Sequence, residues 1–299
     1  MTHVKIWISA MRLRTLPLSL ATILTGNFIA LSIDKNITSV FILTVITTVF
    51  LQILSNLAND LGDHLKGTDN ELRLGPQRAT QSGKISVKEM KFAIVIFIIL
   101  SLASGISLLL VSKLNTEIFL VFLGLGLASI LAAIFYTMGK KPYGYRAMGD
   151  LFVFIFFGLV GVGGSFYLNT GELFYELLFP AMSIGFFSAG VLNMNNMRDH
   201  ENDKLQNKIT LVVLLGTDKA KMYHSFLIIG GMLSSAFFVL HHYTEPKNLF
   251  FLLSDPMFIL NLIRVQKNKN EKDYDPELKK LAIGTFLFSV LLGISIIDF

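Results

Sequence analysis

The chain contains no cysteine, and only 16% of its 299 residues are charged. The first absence excludes disulfides, thiolate metal centres and cysteine nucleophiles. The second excludes an ordinary soluble domain, in which about a quarter of the residues carry charge. What is present instead is apolar: 53% of the residues are hydrophobic and the mean hydropathy is +0.60. Nine apolar segments are each long enough to cross a hydrocarbon core of about 30 Å. They lie near 14–33, 38–60, 90–112, 116–137, 147–168, 174–197, 219–241, 247–264 and 280–297, the eighth interrupted by Asp255-Pro256. The expected fold is all-α: a polytopic membrane protein with about nine transmembrane helices. The stretch before Arg14 is mixed and basic with no small-residue cleavage site, so the first apolar segment reads as a permanent span.

The basic residues are distributed unevenly. Of 26 Lys and Arg, all but Lys35, Lys113 and Lys247 fall in the N-terminal segment or in the loops after the even-numbered spans. The positive-inside rule then places the N-terminus and those loops in the cytoplasm. A multi-pass protein of the cytoplasmic (inner) membrane is expected. The net charge of +5 is mostly this topological bias, and no nucleic-acid partner is needed to explain it. No obligate protein partner is implied either.

Two aspartate clusters interrupt the avoidance of charge. The first is Asn56-Leu57-Ala58-Asn59-Asp60-Leu61-Gly62-Asp63, at the end of the second span. The second is Asn195-Asn196-Met197-Arg198-Asp199-His200-Glu201-Asn202-Asp203, at the end of the sixth. Carboxylates beside a bilayer are costly unless they face a polar cavity or hold cations. Asn56, Asp60 and Asp63 fall at i, i+4 and i+7, and Asn195, Asp199 and Asp203 at i, i+4 and i+8; each set forms one stripe of a helix. Oxygen ligands at that spacing suit Mg²⁺, which takes a few carboxylates together with substrate phosphate oxygens. Two such stripes would hold ions on either side of a diphosphate and turn it into a leaving group. Arg73, Arg78 and Lys84 in the first adjoining loop, and Lys204 and Lys208 in the second, could complete the clamp.

Plainer readings apply to many of these residues singly. A lone helix-end aspartate is ordinarily a cap or a surface charge; acids and amides in register twice on one face are not. His64 and His200 flank the aspartates without a second histidine at ligand spacing, which argues against zinc. Gly161-Val162-Gly163-Gly164 lies inside a span and suits close helix packing better than phosphate binding. The shared Asn-x-x-x-Asp spacing at 56–60 and 195–199 suggests a pseudo-repeat within one domain covering 1–299. The charged stretch from Arg264 to Lys280 reads as a solvated hairpin without a motif.

At these residues the chain resembles the intramembrane aromatic prenyltransferase superfamily, and within it the 1,4-dihydroxy-2-naphthoate polyprenyltransferase branch of menaquinone biosynthesis. The resemblance rests on Arg12-Leu13-Arg14-Thr15-Leu16-Pro17, on Asn56 through Asp69, and on Arg73-Leu74-Gly75-Pro76-Gln77-Arg78-Ala79. Gly83-Lys84-Ile85-Ser86, Pro142-Tyr143-Gly144-Tyr145-Arg146 and the Asn196-to-Asp203 run continue it in order. It implies a nine-helix bundle around a central cavity capped by the two Asp-rich loops. It implies Mg²⁺ ligands at Asn56, Asp60, Asp63, Asp199 and Asp203, and diphosphate contacts at Arg78, Lys140 and Arg14, with Lys208 adjoining. It places Tyr136 beside the reacting allylic carbon. Asn59, Asp69, Arg73, Asn195 and Asn196 are secondary candidates. The sequence departs from the pattern at Gly67, where relatives carry a further aspartate, and at Leu214, where they carry arginine.

The function expected from this resemblance is transfer of a polyprenyl group from polyprenyl diphosphate to 1,4-dihydroxy-2-naphthoate with decarboxylation, giving demethylmenaquinol. Asp60, Asp199 and Tyr136 are the expected catalytic residues. A different aromatic acceptor such as 4-hydroxybenzoate is the alternative within the class. A cation-coupled transporter is the alternative outside it, and would place acids near the bilayer midplane rather than at helix ends.

Overall fold

The computed structural model describes residues 3–71 and 73–297. Among them, nine helices are long and apolar enough to cross a membrane: α1 His3–Ser32, α2 Thr38–Leu65, α3 Val87–Val111, α4 Thr116–Phe135, α5 Gly149–Thr170, α6 Tyr175–Arg198, α7 Thr217–His241, α8 Pro246–Lys267 and α9 Glu271–Ile296. The chain is a multi-pass membrane protein. Local chemistry sets several helix starts. Ser86 and Glu89 form a reciprocal capping box on α3, and Asn115 accepts the Ile118 amide at the start of α4.

Three boundaries differ from the expectation, each for a local reason. Helix α2 runs on to Leu65, because its backbone hydrogen bonds continue past the aspartates, and Asp63 is therefore helical. Helix α6 ends at Arg198, and a new short helix begins at His200 and runs to Leu205. Asp203 consequently shares no helix with Asn195. Four-residue bonds still cross the break, from Asp199 N to Asn195 O and from Asp203 N to Asp199 O, so one-turn spacing survives. The stretch 264–280 is mostly helical, with α8 extending to Lys267 and α9 starting at Glu271.

Helix α1 lies between two apolar groupings. Its membrane segment packs on α2, α5 and α9, while α6 packs on α5, α7 and α9. One buried cluster joins Ile29, Phe166, Ile184, Phe187, Phe258 and Phe288; another joins Ile53, Leu57, Met90 and Ile130. Burial of such side chains stabilises the bundle only through close packing, since lipid tails are as apolar as leucine. Gly161 shows how close: a Cβ there would stand 2.0 Å from Thr22 Cγ2. It sits in a stretch of α5, Phe154–Gly163, wound as a π-helix.

Between the groupings runs a cavity of about 700 Å³, lined by α1 to α6, by the polar loops and by the start of α9. At its far end Asn169 ties α5 to α1 and α2: its amide donates to Asn27 Oδ1 at 2.9 Å and its carbonyl accepts the Ile37 amide at 2.8 Å.

Candidate active site

The two aspartate clusters meet at one end of this cavity. Asn56, Asn59 and Asp63 from α2 line it, as do Asn195, Arg198 and Asp199 from the end of α6. Asp60, Asp69, Asp203 and Asn196 are buried but lie outside the lining. Asn56 is oriented from α1: its amide donates to Met11 O at 2.9 Å and to Thr15 Oγ1 at 3.0 Å, leaving the carbonyl oxygen to Gln52 at 3.3 Å. Asp60 faces the turn at Ala79 and Thr80 and is acted on by the Arg12 charge, and its Oδ1 is buried without a hydrogen bond.

Basic side chains cross-link the clusters. Lys208 lies 3.4 Å from Asp63 and 3.8 Å from Asp203. Arg73 lies 3.1 Å from Asp69 and 3.6 Å from Asp199. Each cation therefore spans from the first aspartate region to the second. Burial works against the Lys208 ammonium, but Asp63 and Asp203 outweigh it and hold its pKa above the ordinary lysine value. Burial pushes Asp203 up to about 7, with Lys208 opposing. Asp69 is likewise pushed up to about 7 by burial and by Asp63, against the pull of Arg73. Burial would raise Asp199 too, but the Arg198 guanidinium hydrogen-bonded to it holds it below the usual carboxylate range.

The sequence-predicted residues divide accordingly. Arg14, Arg73, Arg78 and Lys208 line the cavity, and Arg78 lies 3.7 Å from Asp69. Lys84 and Lys204 are exposed and outside it. Lys140 is also exposed and outside the lining, because the chain turns at Gly139 (φ 87°) just after Tyr136 has closed α4. Tyr136 lines the cavity, and glycine makes its seat possible: a Cβ at Gly144 would stand 2.6 Å from its carbonyl oxygen and one at Gly149 3.2 Å from its ring.

Four further residues belong here that sequence reasoning did not single out. Arg12 breaks α1 with a left-handed backbone (φ 49°), and its buried Nε and Nη2 have no hydrogen-bond partner. Tyr145 donates to Asp63 Oδ1 at 2.7 Å and lies 2.6 Å from the Thr68 hydroxyl. Arg198 grips Asp199 with two bonds, at 3.0 and 2.6 Å, and reaches Asp275 at 2.5 Å. Asp275 itself lines the cavity from the first turn of α9. The Arg-Leu-Arg and Tyr-Gly-Tyr runs were visible signals. No local signal marked Asp275, whose role depends on the packing of α9 against α6.

A sequence profile of the UbiA prenyltransferase family matches residues 19–290. The chain belongs to the UbiA prenyltransferase family. Among its UbiA relatives is the 1,4-dihydroxy-2-naphthoate octaprenyltransferase of Haemophilus influenzae, 38% identical over 98% of this chain and 96% of that protein. The protein of the same name from Escherichia coli is 39% identical over 97% of this chain and 94% of its own length. A UbiA homolog from Aeropyrum pernix K1 has the same fold, with a TM-score of 0.69 at 19% identity, covering 96% of this chain and 98% of that one. So does a UbiA homolog from Archaeoglobus fulgidus bound to GPP and Mg²⁺, with a TM-score of 0.62 at 19% identity over 97% and 100% of the two chains.

The donor set fits a hard divalent cation. Asn56, Asn59, Asp60, Asp63, Asp199 and Asp203 offer only oxygen, and two of those oxygens, Asn59 Oδ1 and Asp60 Oδ1, are buried without a hydrogen bond. Buried polar atoms left in that state call for an ion, a water or a substrate.

Proposed function

We propose that this UbiA-family protein transfers a polyprenyl group from polyprenyl diphosphate to 1,4-dihydroxy-2-naphthoate with loss of carbon dioxide, giving demethylmenaquinol. The observation that carries the reading is one cavity with two chemistries. Its mouth joins both aspartate regions to Arg12, Arg73, Arg78, Arg198 and Lys208. Its depth is mostly apolar, reaching Leu108, Leu109, Phe122 and Leu168. A diphosphate suits the first part and an isoprenoid chain the second. The acceptor is taken from the names of the full-length relatives.

In this reading Asn56, Asp60, Asp63, Asp199 and Asp203 hold Mg²⁺, with Asn59, Asp69, Asn195 and Asn196 supporting them. When bound, the metal neutralises the diphosphate and makes it a better leaving group. Arg12, Arg73, Arg78 and Lys208 bind its remaining oxygens, and Arg14 adds positive charge at the cavity edge. Arg73 and Lys208 exchange a carboxylate partner for a phosphate partner as substrate enters. The allylic C–O bond then breaks, and its electron pair leaves on the diphosphate oxygen. Tyr136 presents a neutral ring to the allylic cation, its phenol held well above the ordinary value by burial and by neighbouring Tyr143. The ring carbon bearing the carboxylate attacks and forms the new C–C bond. Carbon dioxide departs, and the electron pair of the broken bond restores the aromatic ring.

The clusters sit at the Lys- and Arg-rich end of the bundle, which supports an active site facing the cytoplasm of the inner membrane, with the N-terminus on the same side. The same placement disfavours a cation-coupled transporter, whose carboxylates belong near mid-membrane. Acceptor profiling tests the reading. Membranes containing the protein, with Mg²⁺ and octaprenyl diphosphate, should prenylate 1,4-dihydroxy-2-naphthoate and leave 4-hydroxybenzoate unchanged. Product from 4-hydroxybenzoate alone would overturn the acceptor while keeping the diphosphate chemistry.

A further inference from the structure

Tyr136 is the first ring of a continuous aromatic series. Tyr143 meets it edge to face, with centroids 5.3 Å apart and planes at 74°. Phe152 stacks on Tyr143 at 4.1 Å and 22°, and Phe156 follows Phe152 at 6.1 Å and 28°. All four rings line the cavity. Phe152 and Phe156 are one helical turn apart on α5, so the series descends from the charged mouth toward membrane depth.

The Tyr143 hydroxyl is occupied elsewhere. It donates to the Ala132 carbonyl of α4 at 2.8 Å, which fixes the ring and keeps its oxygen bonded to backbone. Burial pushes its phenol above the ordinary tyrosine value. A phenol free to turn into the cavity could capture an allylic cation through oxygen; one tied to a carbonyl is held away from that reaction. Thr137, next to Tyr136, donates to the Ala58 carbonyl of α2 at 3.1 Å, and Tyr136 lines the same cavity as Asp63, which puts the top of the series beside the aspartate end. In the prenyl-transfer reading, a chain with its diphosphate at the clusters would lay its first isoprene unit against Tyr136 and Tyr143 and later units against Phe152 and Phe156.

We propose that Tyr143 is a second catalytic ring, which shares with Tyr136 the stabilisation of the allylic cation, and that Phe152 and Phe156 extend this face along the adjoining isoprene units. The inference rests on the prenyl-transfer reading above. A cation is spread over the two ends of an allylic system, and Tyr136 and Tyr143, which both line the cavity, supply π density from two directions, with Phe152 backing Tyr143 by stacking on it. Such contacts strengthen as water is excluded. The bond that breaks, the bond that forms and the carbon dioxide released are those already described; the rings lower the barrier to ionisation without being altered.

The test replaces Tyr143 in the full-length protein by phenylalanine and then by phenylalanines bearing one, two and three ring fluorines. Fluorine withdraws π density with little change of shape, so a packing role would leave the series level. The Tyr143→Phe protein keeps the ring and serves as the reference. Each fluorine should lower kcat about two- to threefold, while KM for octaprenyl diphosphate stays within about twofold. Tyr143→Leu should lower kcat about 30-fold. A level fluorine series in an enzyme that makes prenylnaphthoquinol overturns the proposal alone, as does a loss confined to KM. Absence of product from the native protein overturns the functional reading, and this inference with it.

Discussion

The Lys208 ammonium lies 3.4 Å from each carboxylate oxygen of Asp63, a residue 145 positions earlier in the chain. The same ammonium is 3.8 Å from Asp203 and 5.3 Å from the centre of the Tyr145 ring. One buried cation thus balances a carboxylate from each aspartate region, which would otherwise face each other as like charges. Arg73 repeats the arrangement between Asp69 and Asp199.

Removing Lys208 should affect two equilibria in opposite directions. Lys208→Met should raise KM for polyprenyl diphosphate by about tenfold or more, the scale of a lost charge-assisted hydrogen bond. Without diphosphate, the freed Asp63 and Asp203 should bind Mn²⁺ more tightly than in the native protein. Calorimetric titration with metal alone checks the second effect; weaker Mn²⁺ binding would contradict the placement of Lys208 between the carboxylates.

Neutralising the carboxylates should remove turnover without removing the fold. Asp63→Asn, Asp199→Asn and Asp203→Asn should each reduce kcat by about 100-fold or more, as does loss of other groups that stabilise departing charge. Turnover by mass spectrometry, with gel filtration to show intact protein, checks this. Asp60→Asn should behave alike if its buried, unbonded Oδ1 serves a cation.

Arg198 is 1% exposed and bonded to Asp199, Asp275 and Asn195. Arg198→Met leaves the Asp199 carboxylate buried without its two closest hydrogen bonds, with Arg73 and Lys208 as the cations still acting on it. It should cost about 3 kcal/mol, the lower end of the range for breaking a buried pair. The double variant Arg198→Met with Asp199→Asn should recover much of that stability while remaining inactive. Thermal unfolding in detergent measures both, and equal instability of the two variants would show that the charge was not the cause.

Gly62 holds α2 against the end of α4. A Cβ there would stand 2.3 Å from Thr137 Oγ1 and 2.9 Å from the Thr137 backbone carbon. Trimming Thr137 therefore cannot relieve the clash. Gly62→Ala should destabilise by about 1–3 kcal/mol, and it should lower kcat by displacing Tyr136, the neighbour of Thr137. Unchanged melting and turnover would mean that the helices separate at no cost.

The fold was legible because hydropathy and span length dominate in a bilayer. The structure has nine candidate membrane helices among its described residues, matching the nine apolar segments within a few residues at most ends. The Asp-Pro interruption at 255–256 did not remove the eighth, since α8 changes there from a 3-10 stretch, Pro246–Ser254, to an α-helix starting at Asp255, whose first turn tolerates proline. The site was legible as two motifs but not as a set of contacts. Spacing marked Asp63 and Asp203 as candidates, yet the bridging by Lys208 depends on how the loop at 206–210 folds back over α2. The break at Asp199 was hidden because one-turn spacing persists across it. Asp275 was hidden by charge: an acid among lysines reads as solvated loop until α9 packs on α6. Gly161 went the other way, since a glycine inside a span already implied close packing, and Thr22 fills the space.

Polyprenyl transfer to the naphthoate and release of its carboxylate should be one metal-dependent event in this cavity. The most direct test supplies purified protein with octaprenyl diphosphate and 1,4-dihydroxy-2-naphthoate carrying ¹³C at the carboxyl carbon, and follows prenylated product and ¹³CO₂ together. Equal amounts of the two are expected at every time point, both abolished by EDTA and both restored by Mg²⁺. Prenylated product that retains the label, or turnover indifferent to chelation, would contradict a single metal-dependent event.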